Sequence, residues 1–200
     1  NWGVATANIA VFKQIIKGFQ SNIFTGTGFF LANAGKQSAF GIEFDGTVKP
    51  TDELSFNLSV TYLDPKYDNF LLSAFGDLSG TRPGGVTQLS STFGAQYNRE
   101  LGNGDRIILR GDYPYEAPFK LVEGLPGLLS VSGVPGALQA ARDFRQEINQ
   151  VNASFTYAMN NGIELTLWGR NLTDSRTILQ IFDSPAQQGS ISGYPSEPRT

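Results

Sequence analysis

Apolar and polar residues alternate along much of the chain with the period of two that is typical of a β-strand with one apolar and one polar face. The clearest segment is Leu54–Tyr62, in which every second residue is apolar and the residues between them are Ser, Asn or Thr. The same pattern predicts further strands over Phe40–Val48, Leu89–Tyr97, Ile107–Tyr115, Val151–Met159 and Ile163–Arg170. Residues Ala5–Phe24 are expected to form a seventh strand, although Lys13 and the Ile15-Ile16 pair blur its alternation.

The links between these strands alternate in length. Short links rich in residues that favour tight turns occur at Pro50–Asp52, Gly102–Gly104 and Asn160–Gly162. Much longer polar or Gly- and Pro-rich links occur at Thr25–Gly35, Asp64–Gln88, Ala117–Gln146 and from Thr173 to the end. This layout predicts an all-β, antiparallel up-and-down meander with tight turns at one end and long loops at the other. A transmembrane β-barrel has the same layout.

Charges and tyrosines follow the two faces of the predicted strands. The charged residues within the strand bodies fall on the polar side, as expected if hydrocarbon contacts the opposite side. They are Glu43, Asp45, Arg106, Arg110, Asp112, Glu164 and Arg170. On the apolar side, Tyr62, Tyr113 and Tyr115 lie near the loop ends, and Tyr97 and Tyr157 lie near the turn ends, as in interfacial aromatic girdles. The alternative is an ordinary antiparallel sheet packed against a soluble core.

Composition removes several classes of function. The 200 residues carry a net charge of -3 and contain neither Cys nor His. Disulfides, thiolate or imidazole metal sites and Ser/His or Cys/His catalysis are therefore absent, and we expect no enzyme, no cofactor, no metal site and no nucleic-acid partner. The uncharged run Gly124–Ala141 contains two Pro and four Gly, so we expect a loop there rather than a spanning helix. A short helix is expected only over Pro135–Arg145.

One heptapeptide, Trp168–Asp174 (WGRNLTD), resembles the penultimate strand of TonB-dependent outer-membrane receptors. Three other segments resemble the same family in the same order. They are Asn33–Lys36 followed by Gly41–Gly46, then Val60–Asp64, and finally Gly193–Thr200. The resemblance covers essentially the whole chain, and its ordered combination is more specific than any single motif.

The resemblance implies a bacterial outer-membrane receptor that takes up a scarce solute actively. A TonB partner would act through a plug, membrane lipid would surround the barrel, and the solute is expected to be a small molecule such as a ferric chelate. The family pattern also includes a TonB box, a plug and a closing strand, which these residues do not match. Residues 1–200 are therefore expected to form one partial barrel domain without the plug and the final strand. A passive porin, a structural barrel and a soluble β-sheet binding module remain as alternatives.

Two sets of residues are candidates for function. Aromatic and basic residues on the loops could stack on or pair with an anionic ferric siderophore. This set is Tyr67, Phe70, Phe75, Arg82, Phe119, Arg142, Phe144 and Arg145. The alternative for its aromatic members is a staple that folds the loop. Polar residues on the inner face could line the lumen or simply pair with neighbouring strands. This second set is Asn57, Ser59, Thr61, Arg110, Asp112, Glu164 and Arg170.

Overall fold

The computed structural model describes residues 4–25 and 27–200, most of which form antiparallel strands. The strands are β1 (Ala5–Phe24), β2 (Phe29–Val48), β3 (Leu54–Asn69), β4 (Leu89–Glu100), β5 (Arg106–Lys120), β6 (Arg145–Asn149), β7 (Asn152–Ala158), β8 (Glu164–Gly169), β9 (Ile178–Asp183) and β10 (Ile191–Pro195). Between β5 and β6, a one-turn 3-10 helix (Pro126–Leu128) leads into helix α1 (Leu129–Asp143). Neither helical segment in this part of the chain has the length and apolar character that crossing a membrane requires.

The main sheet is a meander in which each strand pairs with its predecessor, in the order β1-β2-β3-β4-β5-β7-β8. Strand β6 also pairs with β5, and the break between β6 and β7 lies opposite Pro114, which has no N–H to donate. Within the described residues, β1 and β8 each pair along one edge only, so the sheet is open. The predicted all-β meander of about seven strands, forming part of a barrel, is confirmed.

Two of the predicted tight turns depend on glycines with positive φ. Gly104, between β4 and β5, has φ of 85°, and Gly162, between β7 and β8, has φ of 91°. Each glycine N–H donates to a carbonyl three residues earlier, Leu101 at 2.9 Å and Met159 at 3.1 Å. Because residues with a Cβ are strained at such angles, these glycines fix the turn positions.

The long link predicted at Thr25–Gly35 is wrong. Strand β1 runs to Phe24, β2 begins at Phe29, and Thr25 N–H donates to the Gly28 carbonyl at 2.8 Å; Gly26 lies outside the described residues. Cross-strand pairing continues up to Phe24 and Phe29, so the pairing sets the strand length although the sequence no longer alternates. At about 3.3 Å per residue, a 20-residue strand extends well beyond the 9 to 11 residues that span a bilayer.

The prediction of a loop over Gly124–Ala141 is wrong for most of its length, because α1 begins at Leu129. A helix was predicted over Pro135–Arg145, and a helix is present, but it begins six residues earlier, at Leu129, and ends two residues earlier, at Asp143. Gly133 interrupts α1 with a φ of 64°, and Pro135 follows in the first turn after the kink. Proline is tolerated in a first helical turn, where its missing N–H would have no partner.

The link from Thr173 to the end is not simply a loop, since it contains the hairpin β9–β10. Ile181 of β9 is 3% exposed and packs with Leu125 and Ala141. The hairpin is thus held by a tertiary contact that its own short, non-alternating sequence does not indicate.

The apolar face of the main sheet has no cover among the described residues. Ile9 is 71% exposed, Leu109 45% and Leu167 75%. The two buried hydrophobic clusters lie instead at the loop end of the sheet. The first contains Ala32, Ala34, Tyr67, Phe70, Phe75, Leu78 and Ala137, and the second contains Leu125, Ala141 and Ile181. We call this region the cap. It comprises the folded loops 70–88, 121–144 and 176–196 together with the adjoining strand ends, residues 16–24, 29–37, 65–69, 117–120 and 145. A soluble sandwich would need a second layer on the apolar face, and the described residues supply none.

Candidate ligand-binding site

Of the aromatic candidates predicted on the first long loop, Phe70 and Phe75 follow β3, whereas Tyr67 lies within β3, because that strand extends to Asn69; all three are buried in the first cluster. Tyr67 is 3% exposed, Phe70 0% and Phe75 4%, and the rings of Tyr67 and Phe70 meet edge to face with centroids 4.8 Å apart. Phe144 is half-buried in the second cluster. These four rings pack inside the folded loops, as expected if they act as a staple that folds the loop. Their role in ligand binding stays a prediction.

Glu123 joins three segments of the cap. Its Oε1 accepts hydrogen bonds from the Tyr67 hydroxyl and from Gly84 N–H, both at 2.7 Å, and its Oε2 is 2.7 Å from Lys120 Nζ. Burial and the adjacent Glu123 charge raise the pKa of Tyr67, which lies beyond the part of β3 predicted to span the membrane. Sequence reasoning missed Glu123, because its partners Tyr67 and Gly84 lie 56 and 39 residues away in the chain.

Four of the eight predicted loop residues meet around one pocket of about 330 Å³, which we call the basic pocket. They are Arg82, Phe119, Arg142 and Arg145, and Lys120 joins them as a cation that the sequence did not single out. None of the described residues that line this pocket is a carboxylate. The chain therefore brings together cations from three distant segments beside one aromatic ring.

The cations of the basic pocket differ in how far they are neutralised. Arg82 lies 3.7 Å from Asp64, and Lys120 pairs with Glu123. Arg145 donates to the Pro118 carbonyl at 2.7 Å, which fixes the side chain without removing its charge. Arg142 is exposed in the last turn of α1, where the helix dipole favours a cation. The pocket thus offers two guanidinium groups for an anion, and guanidinium binds carboxylates in a bidentate manner.

A second, larger cavity of about 650 Å³ lies in the cap beside the basic pocket, and we call it the apolar cavity. The two share Pro83 and Val86 as walls. Its walls are mainly apolar, with Gln37, Glu123 and Asp183 among the polar residues. The volume falls within the range of small-molecule sites.

Asp183, which sequence reasoning also missed, is 3% exposed at the end of β9. Its Oδ2 accepts a hydrogen bond from Gly127 N–H at 2.8 Å, while its Oδ1 has no partner among the described residues. Burial raises the pKa of this carboxyl, and the Gly127 hydrogen bond opposes the rise. No pattern in the sequence around Asp183 indicates this position, because the loop approaches it only in the folded cap.

The seven residues predicted to line the lumen alternate with the apolar residues and so lie on the polar face of the sheet. Several have cross-strand partners. These pairs are Ser59 with Asp45 (2.7 Å), Asp112 with Asn152 (2.7 Å) and Glu164 with Arg106 (4.0 Å). The Arg170 guanidinium lies over the Trp168 ring, 5.4 Å from its centroid. Asn57, Thr61 and Arg110 occupy the same face, and the assignment of all seven to a lumen stays a prediction.

A family model described as "TonB dependent receptor-like, beta-barrel" matches residues 1–172, most of the chain. The chain belongs to this family. Members of the family are transporters rather than enzymes. The family resemblance inferred from Trp168–Asp174 and the three other segments is therefore confirmed.

Solved receptors have the same fold at low sequence identity. The ferric yersiniabactin uptake receptor FyuA from Yersinia pestis superimposes with a TM-score of 0.71 at 16% identity, covering 100% of this chain and 27% of that chain. The siderophore receptor PiuA from Acinetobacter baumannii gives 0.65 at 17% identity, with 98% and 25% coverage. The ferric preacinetobactin receptor BauA of the same organism gives 0.62 at 14% identity, with 100% and 26% coverage.

The chain thus spans about a quarter of the length of these receptors. No curated protein is similar enough in sequence to serve as a relative. At such low identity the structural matches establish the barrel fold of the chain.

Proposed function

We propose that residues 1–200 are one partial domain of an outer-membrane receptor that takes up a ferric siderophore with energy delivered through TonB. In this proposal the meander is a section of barrel wall, its apolar face contacts lipid, and its polar face lines the lumen. The cap faces the cell exterior and contributes to ligand capture.

The exposed apolar face is the observation that carries the membrane part of the proposal. Leu58 and its cross-strand neighbour Phe93 are 38% and 45% exposed, and Phe155, on the same face of β7, is 41% exposed. In water, a continuous apolar surface of this extent would drive aggregation, whereas hydrocarbon solvates it without cost. The tyrosines support the same orientation, since Tyr97 and Tyr157 flank β5 at the turn end, opposite Leu109 and Ile107.

The basic pocket supports an anionic ligand. Four cations and one aromatic ring meet at a concave site, and ferric chelates with carboxylate or phenolate groups carry the complementary charge and planar faces. The three solved receptors with this fold are described as receptors for siderophores, two of them for ferric complexes. TonB enters as the partner of the family, acting through a plug that would be supplied by the remainder of the receptor.

Uptake of radioactive iron tests this function. Cells that lack the complete receptor and cells that express it are supplied with ferric siderophores under iron limitation, with and without a functional TonB. We expect accumulation that requires both the receptor and TonB. Accumulation that persists without TonB would instead support a passive porin. Accumulation that does not depend on the receptor would contradict the proposed function.

A matched pair of variants of the expressed receptor separates the role of the pocket from folding. Arg142→Gln removes one guanidinium of the basic pocket, and Arg176→Gln removes an exposed guanidinium that pairs with Asp174 outside it. We expect the first to lower uptake of an anionic ferric chelate several-fold at subsaturating concentration, and the second to leave it unchanged.

A further inference from the structure

The apolar surface of the wall ends at one rung of strands β1–β3. Val11, Ile42 and Tyr62 are directly opposed on adjacent strands and therefore lie on one face. They are 64%, 38% and 39% exposed. Tyr62 is also one of the tyrosines predicted to form an interfacial girdle at the loop end. Going outward, this is the last rung on which all three strands carry an apolar side chain.

Lysines follow on the same face immediately beyond this rung. The next three rungs carry, in order, Lys13, then Lys66, and then the directly opposed pair Lys17 and Lys36. We call these four residues the lysine patch. Ile15, which is 50% exposed, lies between Lys13 and Lys17 on β1. The surface thus changes along each strand from apolar to cationic, as at the boundary between acyl chains and lipid headgroups.

The charge of the lysine patch is only partly neutralised within the chain. Two of its lysines have carboxylate partners at 3.2 and 3.1 Å, and these pairs are Lys36 with Asp68 and Lys66 with Asp64. Asp64 also lies 3.7 Å from Arg82. Among the described residues, Lys13 and Lys17 form no ion pair. The patch is therefore a local positive surface on a chain whose net charge is -3.

The opposed pair Lys17 and Lys36 concentrates this charge. Like charges directly opposite each other on adjacent strands repel and destabilise the pairing. Asp68 pairs with Lys36 and not with Lys17, so the described chain supplies one carboxylate for two ammonium groups. An anionic group between the two side chains would replace the repulsion with two charge-assisted hydrogen bonds.

The position of the patch decides which anion fits it. Its lysines lie on the face that the wall turns to lipid in the proposed function, and none of them lines the basic pocket or the apolar cavity. A lipid supplies both a phosphate for Lys17 and Lys36 and acyl chains that cover Val11 and Ile15. A free phosphate ion supplies only the charge.

We propose that the lysine patch is a docking surface for the phosphorylated headgroup of an outer-leaflet lipid, with Lys17 and Lys36 holding one phosphate between them. The inference rests on the lipid-facing orientation in the proposed function. It adds a second binding surface on the outside of the wall, separate from the site proposed for the transported solute. The bound lipid anchors the long β1–β2 hairpin where the hairpin leaves the membrane.

Binding of labelled lipids to the complete receptor in detergent tests this inference. The probes are a lipid with a diphosphorylated disaccharide headgroup and the same lipid without its phosphates, and inorganic phosphate serves as a competitor. We expect the phosphorylated lipid to bind about tenfold more tightly than the dephosphorylated one, with a preference that weakens as salt rises. Excess inorganic phosphate should displace little of the bound lipid.

Three variants assign the preference to the patch. Lys17→Gln should weaken binding of the phosphorylated lipid about fivefold, whereas Lys17→Arg keeps the charge and should retain the affinity. Lys49→Gln makes the same change at an exposed lysine directly after β2, at the turn end, and should leave the affinity unchanged. None of the three should alter binding of the dephosphorylated lipid.

Thermal unfolding in vesicles separates lipid binding from a purely structural role of Lys17. In phosphatidylcholine vesicles, Lys17→Gln should unfold at the same temperature as the unchanged receptor or slightly higher, because the variant removes a repulsion. Adding the phosphorylated lipid should raise the unfolding temperature of the unchanged receptor more than that of the variant. A structural role predicts a lower unfolding temperature for the variant in both kinds of vesicle.

Three results would each overturn the assignment of the patch to a lipid headgroup. They are equal affinity for the two lipids, equal losses in Lys17→Gln and Lys49→Gln, and full displacement by inorganic phosphate. Iron uptake is measured separately, so these results would leave the proposed function in place. A receptor that keeps the lipid preference but takes up no iron would remove the proposed uptake alone.

Discussion

The Tyr67 hydroxyl donates a 2.7 Å hydrogen bond to Glu123, 56 residues further along the chain. The same carboxylate oxygen accepts from Gly84 N–H. One buried side chain thereby ties the end of β3, the loop that follows it and the segment after β5 into a single cap. Both buried hydrophobic clusters lie in the cap, whereas the large apolar side chains of the wall are exposed.

Replacing Glu123 should loosen the cap without affecting the wall. Glu123→Ala leaves the buried Tyr67 hydroxyl and Gly84 N–H without an acceptor, each at a cost of about 1–3 kcal/mol. Amide exchange of Gly84 and its neighbours should accelerate, while exchange within β3–β5 should not. Glu123→Gln keeps one acceptor oxygen, so exchange at Gly84 should be faster than in the unchanged chain and slower than in Glu123→Ala. Unchanged exchange at Gly84 in the alanine variant would contradict this role.

The two faces of β3 should respond differently to the same substitution. Leu58→Arg places a cation on the apolar face, where the expected cost near the middle of a bilayer is about 2–4 kcal/mol. Ser59→Arg places it on the polar face beside Asp45, the present partner of Ser59, and should be tolerated. Unfolding by denaturant in lipid vesicles measures both. Equal destabilisation would mean that lipid does not contact the face that contains Leu58.

Asp183 should make the docking of the β9–β10 hairpin depend on pH. Its folded-state pKa is raised by burial, so between its unfolded and folded pKa values the unfolded state binds fewer protons than the folded state. Hairpin stability should therefore fall as pH rises above the usual Asp range. Proteolysis or amide exchange of residues 178–195 at several pH values measures this effect.

Asp183→Asn provides the control for that pH dependence, because asparagine cannot ionise. The variant should protect the hairpin more than the unchanged chain at neutral pH and equally at low pH. A hairpin that becomes more protected as pH rises would show that Asp183 is held by a cation in the complete receptor.

Asp105 should stabilise the turn end with the opposite dependence on pH. Its carboxylate accepts from the Tyr157 hydroxyl, from Asn160 N–H at 2.9 Å and from Asn103 Nδ2 at 2.6 Å, and these hydrogen bonds hold its pKa below the usual value. The stabilisation should thus be complete at neutral pH and disappear as the pH falls through the lowered pKa. Asp105→Ala should accelerate amide exchange at Asn160.

The exposed Asp52 of another turn at the same end serves as a comparison for Asp105. Asp52→Ala should leave both turns near Asp105 unchanged. Similar acceleration in the two variants would indicate a general effect of removing a carboxylate from this end of the sheet.

Sequence reasoning was most accurate where local pattern and local turn chemistry agree. Leu54–Tyr62 alternates strictly and forms the body of β3, and Gly104 and Gly162 mark turns that require positive φ. It failed where long-range pairing decides the conformation. Residues 29–35 show little alternation, yet they form the start of β2 because β1 pairs with each residue from Phe29 to Ala34. The hairpin β9–β10 was missed for a similar reason, since Ile181 is held by contacts with Leu125 and Ala141.

The predicted ligand residues divide in the same way. Arg82, Phe119, Arg142 and Arg145 were named from residue type alone, and the structure brings all four to one pocket. Tyr67, Phe70 and Phe75 are aromatic like Phe119 but are buried in the cap. Residue type indicates which contacts a side chain can make, whereas only the packed loops determine which side chains remain accessible.

The amino-acid order by itself determined the two-faced strands, the position of the tight turns and the family, because alternation and turn chemistry act over a few neighbouring residues. The tertiary structure alone decided how far each strand extends and which loop residues are buried in the cap. It also decided that the mainly apolar cavity, with Glu123 and Asp183 among its walls, adjoins the basic pocket. Those features depend on hydrogen bonds and packing between segments far apart in the chain, such as Glu123 with Tyr67 and Asp183 with Gly127.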